Sequence, residues 1–354
     1  MVTMVTGAAV LLLGLVVCSC RAEFAPPTLN ISLDDDPEVR WAPLTKVFDV
    51  DFLNKAAAEI IDKTVPKWVH HAVKPIVMAL EKYIPQPYAG EIRGLAEHFG
   101  GSLSDVIILN FAYEVSAFCT SIITQDVKGN LYHGRNLDYP HSVLRDMTVN
   151  LVFLKNGKVA YYGTSFAGYV GLWTGQSPNK FTVSGDQRGT DRWYNWWKNV
   201  VSAFIYRRSP VSWLVRETLE DAENFQDAVI RLSKIPLITG VYYIVGGVRP
   251  GEGAVITRDR TGPADIWPLD PVNGEWFRVE TNFDHWRPSK DHRREAAVIA
   301  LNATGQEHIN MKTLYQVLSL FPVCNGITVY TTTMSAAVPE EYSTHVWQKG
   351  CGIN

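Results

Sequence analysis

The chain has 354 residues, 46% of them apolar, which is enough for one large core or two ordinary domains. A formal net charge of −3 and the lack of any dense basic stretch exclude a nucleic-acid backbone as partner. No run beyond residue 20 is long and uncharged enough to form a transmembrane helix.

Residues 1–20 carry no charged side chain, and 8–17 form an apolar run too short to span a bilayer, followed by Cys18, Ser19 and Cys20. This predicts a secretory signal peptide cut near residue 20, although the basic n-region is missing and an uncleaved anchor stays open. Entry into the secretory path makes the sequons at Asn30 and Asn302 glycosylation sites. Residues 21–45 read as an irregular surface leader. From Asp51 the pattern turns helical. Between 65 and 83, Val65, Trp68, Val69, Ala72, Val73 and Ile76 recur at three- and four-residue steps, with Lys67, His70, His71 and Lys74 largely between them. Pro66 suits a first turn and Pro75 a kink. The wide apolar arc and basic polar side fit a core helix or a helix lying in a membrane interface. A buried helix over 103–113 follows, and no cysteine occurs in 21–118.

Residues 118–139 predict a β-hairpin: Cys119 opens a β-branched run, 127–130 make the turn, and the return run ends in Arg135, Asn136 and Asp138. Pairing the runs brings a thiol near a guanidinium and a carboxylate, a set suited to acyl transfer. Lone cysteines on apolar strands are more commonly small buried hydrophobes, and Asp138 could be a plain partner for Arg135.

Strands are expected at 149–154, 158–163 and 180–184, then a helix with Trp193, Trp196 and Trp197 ahead of Arg207 and Arg208, which suits either an interface or ordinary packing. A helix over 212–232 precedes strands at 241–247, 254–259 and 276–281. Helices at 292–303 and 312–320 and a strand at 327–335 close the chain. This order fits an α+β protein with sheets inside and helices outside, among other α+β arrangements.

Beyond the signal, Cys119, Cys324 and Cys351 remain. If Cys324 pairs with Cys351, Cys119 is the free thiol; all three could also be reduced. Gly163-Thr-Ser-Phe-Ala-Gly is one residue off a nucleophile elbow and sits between strands, which argues against a serine hydrolase. The chain has no His-Glu-x-x-His or Cys-x-x-Cys, and His70-His71 has no evident ligand set, so no metal or cofactor is expected.

Cys119-Thr-Ser-Ile followed by His133-Gly-Arg-Asn-Leu-Asp-Tyr resembles the cysteine N-terminal-nucleophile hydrolases. More narrowly, it resembles the acid amidases of lipid metabolism, the family of the ceramide- and N-acylethanolamine-cleaving enzymes. The resemblance runs over 33–334 and includes Pro-Lys-Trp-Val-His (66–70), Gly-Glu-Ile-Arg-Gly (90–94), Gly-Tyr-Val-Gly-Leu-Trp-Thr-Gly-Gln (168–176) and Val-Glu-Thr-Asn-Phe-Asp-His-Trp (279–286). It implies an αββα sandwich preceded by a helical segment. It also implies self-cleavage between Phe118 and Cys119 into a helical light chain (21–118, alpha subunit) and a catalytic heavy chain (119–354, beta subunit). Cleavage frees an α-amine of ordinary pKa about 7.7–8.0, so one residue supplies both nucleophile and base. On the matching positions, Arg135 and Asp138 orient the sulfur and amine, and Asn282 offers its amide to the oxyanion. Tyr139 and Trp173 line the acyl site. From its residues alone Asn282 reads as a turn cap. The resemblance implies an acidic residue where this chain has Gln187, an amide that cannot titrate.

Because the light chain lacks cysteine, no disulfide can join the fragments. The ceramide-cleaving branch resembles a disulfide-linked pair, so the ethanolamide-cleaving branch is favoured. The implied protein is a lysosomal amidase that releases fatty acid and ethanolamine from N-acylethanolamines such as palmitoylethanolamide. It would be a non-covalent heterodimer working at a membrane or micelle surface. A ceramidase-like amidase and a non-enzymatic lumenal lipid-binding glycoprotein are the alternatives.

Overall fold

The computed structural model describes residues 23–64, 70, 74, 75, 77–79, 81–112, 114, 118–189, 208–289 and 291–351. The expected signal peptide, most of the amphipathic stretch 65–83 and the Trp-bearing helix around 193–205 lie outside them.

Two antiparallel-dominated sheets face each other. The hairpin forms as Phe118–Gln125 (β3) and Leu131–Asp138 (β4), the centre of a six-stranded sheet. Its neighbours are Phe277–Glu280 (β12) beside β3, and Thr328–Met334 (β13) with Ser343–Trp347 (β14) beyond β4. The second sheet has eight strands. Thr148–Lys155 (β5) and Lys158–Phe166 (β6) are joined by Asn156-Gly157, both at positive φ (52° and 70°), as a tight hairpin turn requires. Thr174–Ser177 (β7), Phe181–Gln187 (β8), Val241–Gly246 (β9), Gly253–Arg258 (β10) and Pro263–Pro268 (β11) continue it.

Helices cover both outer faces. Val211–Asp221 (α4) and Phe225–Lys234 (α5) lie on the eight-stranded sheet, and His292–Thr304 (α6) and Met311–Leu318 (α7) on the six-stranded one. The chain is therefore α+β, layered αββα. Central strands such as β9, buried on every residue, lack the alternation of a half-exposed strand because both sheet faces are covered. The helix expected over 212–232 is broken in two: Asn224 leaves the helix and accepts from Asp227 N at 3.0 Å, starting a new one.

The stretch expected to be an irregular leader is structural. Glu23–Phe24 (β1) pairs with β14, and Thr28–Ser32 (β2) runs parallel to β5, so the N-terminal segment closes an edge of each sheet. Only Leu29 and Ile31 alternate inward, too short a pattern to register as a strand. Val50–Thr64 (α1), Tyr88–Phe99 (α2) and Leu103–Ala112 (α3) form the helical part of this segment.

Its docking centres on Glu91. Oε1 accepts from Arg40 Nη1 (2.7 Å) and Arg216 Nη2 (2.6 Å), and Oε2 accepts from Trp41 Nε1 (2.9 Å) and Arg216 Nη1. Gly94 lets this helix lie against the chain at Glu38, since a Cβ there would fall 1.8 Å from the Glu38 carbonyl oxygen. Burial works against the Glu91 charge, but the two arginines outweigh it and hold the carboxyl below its ordinary range. Cys324 and Cys351 form a disulfide, and among the described residues Cys119 is the free thiol.

Glu91→Ala strands two buried guanidinium groups and should cost about 3–5 kcal/mol in denaturant unfolding at neutral pH. A carboxyl held low keeps its stabilising contribution above its unfolded pKa and loses it only as pH falls through the lower folded value, so the difference should persist at pH 5. A loss under about 1 kcal/mol would contradict the docking role.

Candidate active site

Strand alternation decides what Cys119 can reach. In the register of the hairpin, Cys119 opposes Leu137, Ser121 opposes Arg135 and Ile123 opposes His133, so these residues share the face turned into the sandwich. Thr120, Ile122, Asn136 and Asp138 share the face under α6 and α7, where Asn136 donates to Leu318 O at 2.8 Å.

On the inner face Arg135 meets the sulfur. Its Nη2 donates to Cys119 Sγ (2.8 Å) and Gly185 O (3.1 Å), and Nη1 donates to Trp173 O (3.2 Å), Tyr330 OH (3.4 Å) and Thr174 Oγ1. Asp186 Oδ1 stands 3.5 Å from Nη2. Burial pulls against the Arg135 charge, yet Cys119, Tyr330 and Asp186 together leave it more firmly protonated than usual. Burial also pushes the Cys119 thiol up to about 12 against the pull of Arg135. In the continuous chain the sulfur is therefore a fully buried, protonated thiol.

On the outer face the organising group is Arg293, at the start of α6. Nη1 donates to Cys119 O (2.9 Å) and Asp138 Oδ2 (3.2 Å), and Nη2 donates to Asn282 Oδ1 (2.8 Å) and Asp291 Oδ2 (2.8 Å). Asp138 also accepts from Thr328 Oγ1 (2.7 Å) and Asn325 Nδ2 (3.1 Å). One fork thus ties the Cys119 backbone to the loop after β12.

Asn282 completes the set. Its Oδ1 accepts from Cys119 N (3.0 Å) as well as from Arg293, and two donors converging on one atom identify that atom as the oxygen. Nδ2 then donates to Gln187 O at 2.7 Å. The loop is pinned by Arg188, which grips Asp284 through Nε (2.7 Å) and Nη2 (2.9 Å), and by Gly189 N donating to Asn282 O at 3.0 Å.

Several expectations shift. Arg135 and Asp138 are three residues apart on one strand, so they point to opposite faces and do not meet. Asp138 pairs with Arg293, and Asp186 is the carboxyl beside Arg135. Asp138 reaches Cys119 through the guanidinium that holds the Cys119 carbonyl, not through the sulfur. Asn282 meets the Cys119 nitrogen with its oxygen while one amide hydrogen serves Gln187. Tyr139 and Trp173 are both buried: Trp173 lends its carbonyl to Arg135 and its indole N–H to Tyr169 OH at 3.0 Å, and the Tyr139 ring lies 5.2 Å from that of His141. Gln187 is half-buried at the end of β8, and Phe118 is half-exposed. Asn30 and Asn302 both face solvent. A cavity of about 500 Å³ between Tyr83, Phe111, Pro210, Trp213 and Ile235 touches none of the site residues.

Sequence reasoning missed Arg293 and Asp186. Arg293 lies in a charged run, Asp-His-Arg-Arg-Glu, that reads as a solvated helix start. Asp186 had a usable signal, because Thr182, Ser184 and Asp186 put polar groups at alternate positions of a strand flanked by buried neighbours.

A family model described as the beta subunit of N-acylethanolamine-hydrolyzing acid amidase matches residues 24–84. A second, described as linear amide C–N hydrolases of the choloylglycine hydrolase family, matches 119–298 and so begins at Cys119. The chain is 57% identical to the N-acylethanolamine-hydrolyzing acid amidase of Mus musculus over 324 residues, covering 91% of this chain and 89% of that one. It is 35% identical to the acid ceramidase of Mus musculus over 334 residues, covering 87% and 83%. A solved structure of the Caenorhabditis elegans N-acylethanolamine-hydrolyzing acid amidase ortholog shares 36% identity at a TM-score of 0.59, over 64% of this chain and 99% of that one.

A thiol pushed this far up reacts slowly. Iodoacetamide at pH 8 should modify Cys119 of the native uncut chain roughly 10²–10³ times more slowly than in the denatured chain, followed by intact mass. Equal rates would contradict the buried, protonated state.

Proposed function

The chain belongs to the family of the N-acylethanolamine-hydrolyzing acid amidases, within the linear amide C–N hydrolases, and from that premise we propose that it cleaves fatty-acid ethanolamides after cutting itself between Phe118 and Cys119. The carrying observation is that the hydrolase match opens on Cys119, the residue whose sulfur lies 2.8 Å from Arg135 and whose nitrogen lies 3.0 Å from Asn282 Oδ1. Family membership makes it an N-terminal-nucleophile amidase and sets aside the non-enzymatic alternative.

In the uncut chain the Cys119 nitrogen is an amide donor and cannot take a proton. Activation begins when the thiol adds to the Phe118 carbonyl and the acyl group passes from nitrogen to sulfur, leaving a thioester. Water hydrolyses it, yielding a Phe118 carboxylate and a free α-amine on Cys119. Turnover repeats the chemistry on substrate. The sulfur attacks the acyl-amide carbonyl, the amine takes the thiol proton and passes it to the departing ethanolamine nitrogen, and water then releases the fatty acid from the acyl-thioester. Arg135 stabilises the thiolate. Asn282 orients the amine through Oδ1 and offers its amide to the oxyanion, while Asp138 and Arg293 hold the Cys119 backbone. Tyr139, Trp173 and Gln187 belong to the acyl side of the site.

The proposed fragments, 98 residues (21–118) and 236 residues (119–354), would remain a non-covalent heterodimer. The β1–β14 and β2–β5 pairings and the Glu91–Arg216 ion pair join the two, and the disulfide lies wholly in the second. A signal peptide cut near residue 20, sugars on Asn30 and Asn302, a lysosomal location and contact with a membrane surface through the stretches around 65–83 and 193–205 complete the proposal. A ceramidase-like activity is the second reading, because acid ceramidase is also a relative at 35% identity.

Acid incubation should split the chain into two bands, the larger beginning at Cys119, with release of ethanolamine far exceeding release of sphingosine from the matched substrates. Cys119→Ala should stay one band and lose turnover by at least about 10⁴-fold. Turnover retained in the intact variant would reject the mechanism, and sphingosine as the main product would reject the substrate.

A further inference from the structure

The inner faces of the two sheets carry a chain of polar side chains that the proposed mechanism does not use. Thr182, Ser184 and Asp186 project from alternate positions of β8 toward β3 and β4. His133 contacts Thr182 Oγ1 through Nδ1 (2.9 Å) and Ser184 Oγ through Nε2 (2.9 Å). Ser184 Oγ donates to Ser121 Oγ (2.8 Å), and Ser121 Oγ donates to Asp186 Oδ1 (2.8 Å). The Ser184 and Ser121 hydroxyl hydrogens therefore run toward Asp186, while Thr182 Oγ1 donates to Gly246 O at 3.3 Å. At that end Arg135 Nη2 is shared among Cys119 Sγ at 2.8 Å, Gly185 O at 3.1 Å and Asp186 Oδ1 at 3.5 Å.

Asp186 is fully buried, and its Oδ2 has no hydrogen-bond partner among the described residues. An ionised carboxylate in that position leaves one charged oxygen unsolvated, whereas a carboxylic acid can keep its proton there at little cost.

We infer that Asp186 is a positioning residue that sets the pH range in which Cys119 reacts: as a neutral acid it leaves the Arg135 guanidinium to the sulfur, and once ionised it draws that guanidinium away and adds a negative charge beside the thiol. This rests on the reading of Cys119 as the nucleophile. It also supplies an acid-sensitive group next to the position where Gln187 cannot titrate.

The sign follows from the neighbours. Burial pushes Asp186 up to about 7, against the pull of Arg135 and the Ser121 hydroxyl, so it is protonated in acid and ionises near neutrality. The other groups facing the pair are Arg293 from α6, Asp138 and His133 from β4, Tyr330 from β13, Glu280 from β12 and, once the chain is cut, the Cys119 α-amine, which is common to wild type and variant and so enters both rates of the ratio measured below. The arginines stay charged. Burial, then Arg135, keeps His133 neutral down to about 3. Asp138 is pushed up by burial against Arg293. Burial pushes Glu280 up to about 8 against Arg294, so its ionisation follows that of Asp186 and acts in the same direction. Tyr330 stays protonated, because burial raises it further.

The test uses the processed, two-fragment enzyme and measures Cys119 alkylation by iodoacetamide, read by intact mass, from pH 4.5 to 8.5. Asp186→Asn mimics the neutral acid and keeps an acceptor for Ser121. The ratio of variant to wild-type rate should be near 1 at pH 5 and rise to about 10 at pH 8.5, with a midpoint near 7, because one unit of thiol pKa is one decade of thiolate. A ratio that does not change with pH overturns the inference. Should Asp186→Asn fail to fold, Ser121→Ala serves instead: removing the hydroxyl that favours the carboxylate should move the inflection near pH 7 in the alkylation profile upward from its wild-type position, and an unmoved inflection overturns the inference. Alkylation needs no substrate. A wild type that shows this profile yet releases no fatty acid refutes the proposed substrate and leaves the inference standing.

Discussion

A guanidinium enclosed between two β-sheets is the constraint from which the site follows. Arg135 cannot discard its charge, so burying it requires acceptors around its two terminal nitrogens, Nε having no partner among the described residues. The chain provides two main-chain carbonyls, two hydroxyls, a carboxyl and a sulfur, drawn from β3, β7, β8, the turn before β7 and β13. Such a set can be assembled only if both sheets are in register with each other. The sandwich fold and the placement of the sulfur are therefore one requirement. The sulfur is the softest member of the set, and in the proposed mechanism it is the one the cation stabilises as a thiolate.

The period of two along the hairpin divides the work. Inward residues contact the second sheet, and outward residues hold the backbone through helix α6. Arg293 is the counterpart of Arg135 on this outer side, with Asp138, Asp291, Asn282 and the Cys119 carbonyl on one planar fork. Two arginines on opposite faces of the same strand pair thus fix the sulfur and the backbone of a single residue. The proposed cut beside that residue would free its nitrogen without disturbing either clamp.

Much of this was legible. The hairpin, its turn, the strands β5, β6, β8, β9 and β10 of the second sheet and the outer helices follow from β-branched runs, Asn-Gly breaks and helical periodicity. Cys119, Arg135, Asp138 and Asn282 were all singled out. The strands β1, β2, β7, β11 and β14 were missed: each has six residues or fewer, and β1 and β2 also take their identity from partners far away in sequence. The split of 211–234 into two helices turned on Asn224, a cap inside an otherwise continuous apolar pattern. Which carboxyl serves which arginine was partly readable, since an odd separation along a strand already puts Asp138 on the wrong face for Arg135. Arg293 was out of reach, because nothing within its own helix reveals a partner 174 residues earlier.

The account turns on a nitrogen that is an amide donor before the cut and a base after it. A time course of purified, uncut chain brought to acid pH, with band splitting and fatty-acid release followed together over a hundredfold range of protein concentration, tests this directly. Intramolecular attack by Cys119 predicts that the cut fraction and the rate of fatty-acid release per protein molecule rise together with one first-order constant independent of concentration. Amide hydrolysis that precedes the split, or splitting that speeds up in proportion to protein concentration, would contradict it.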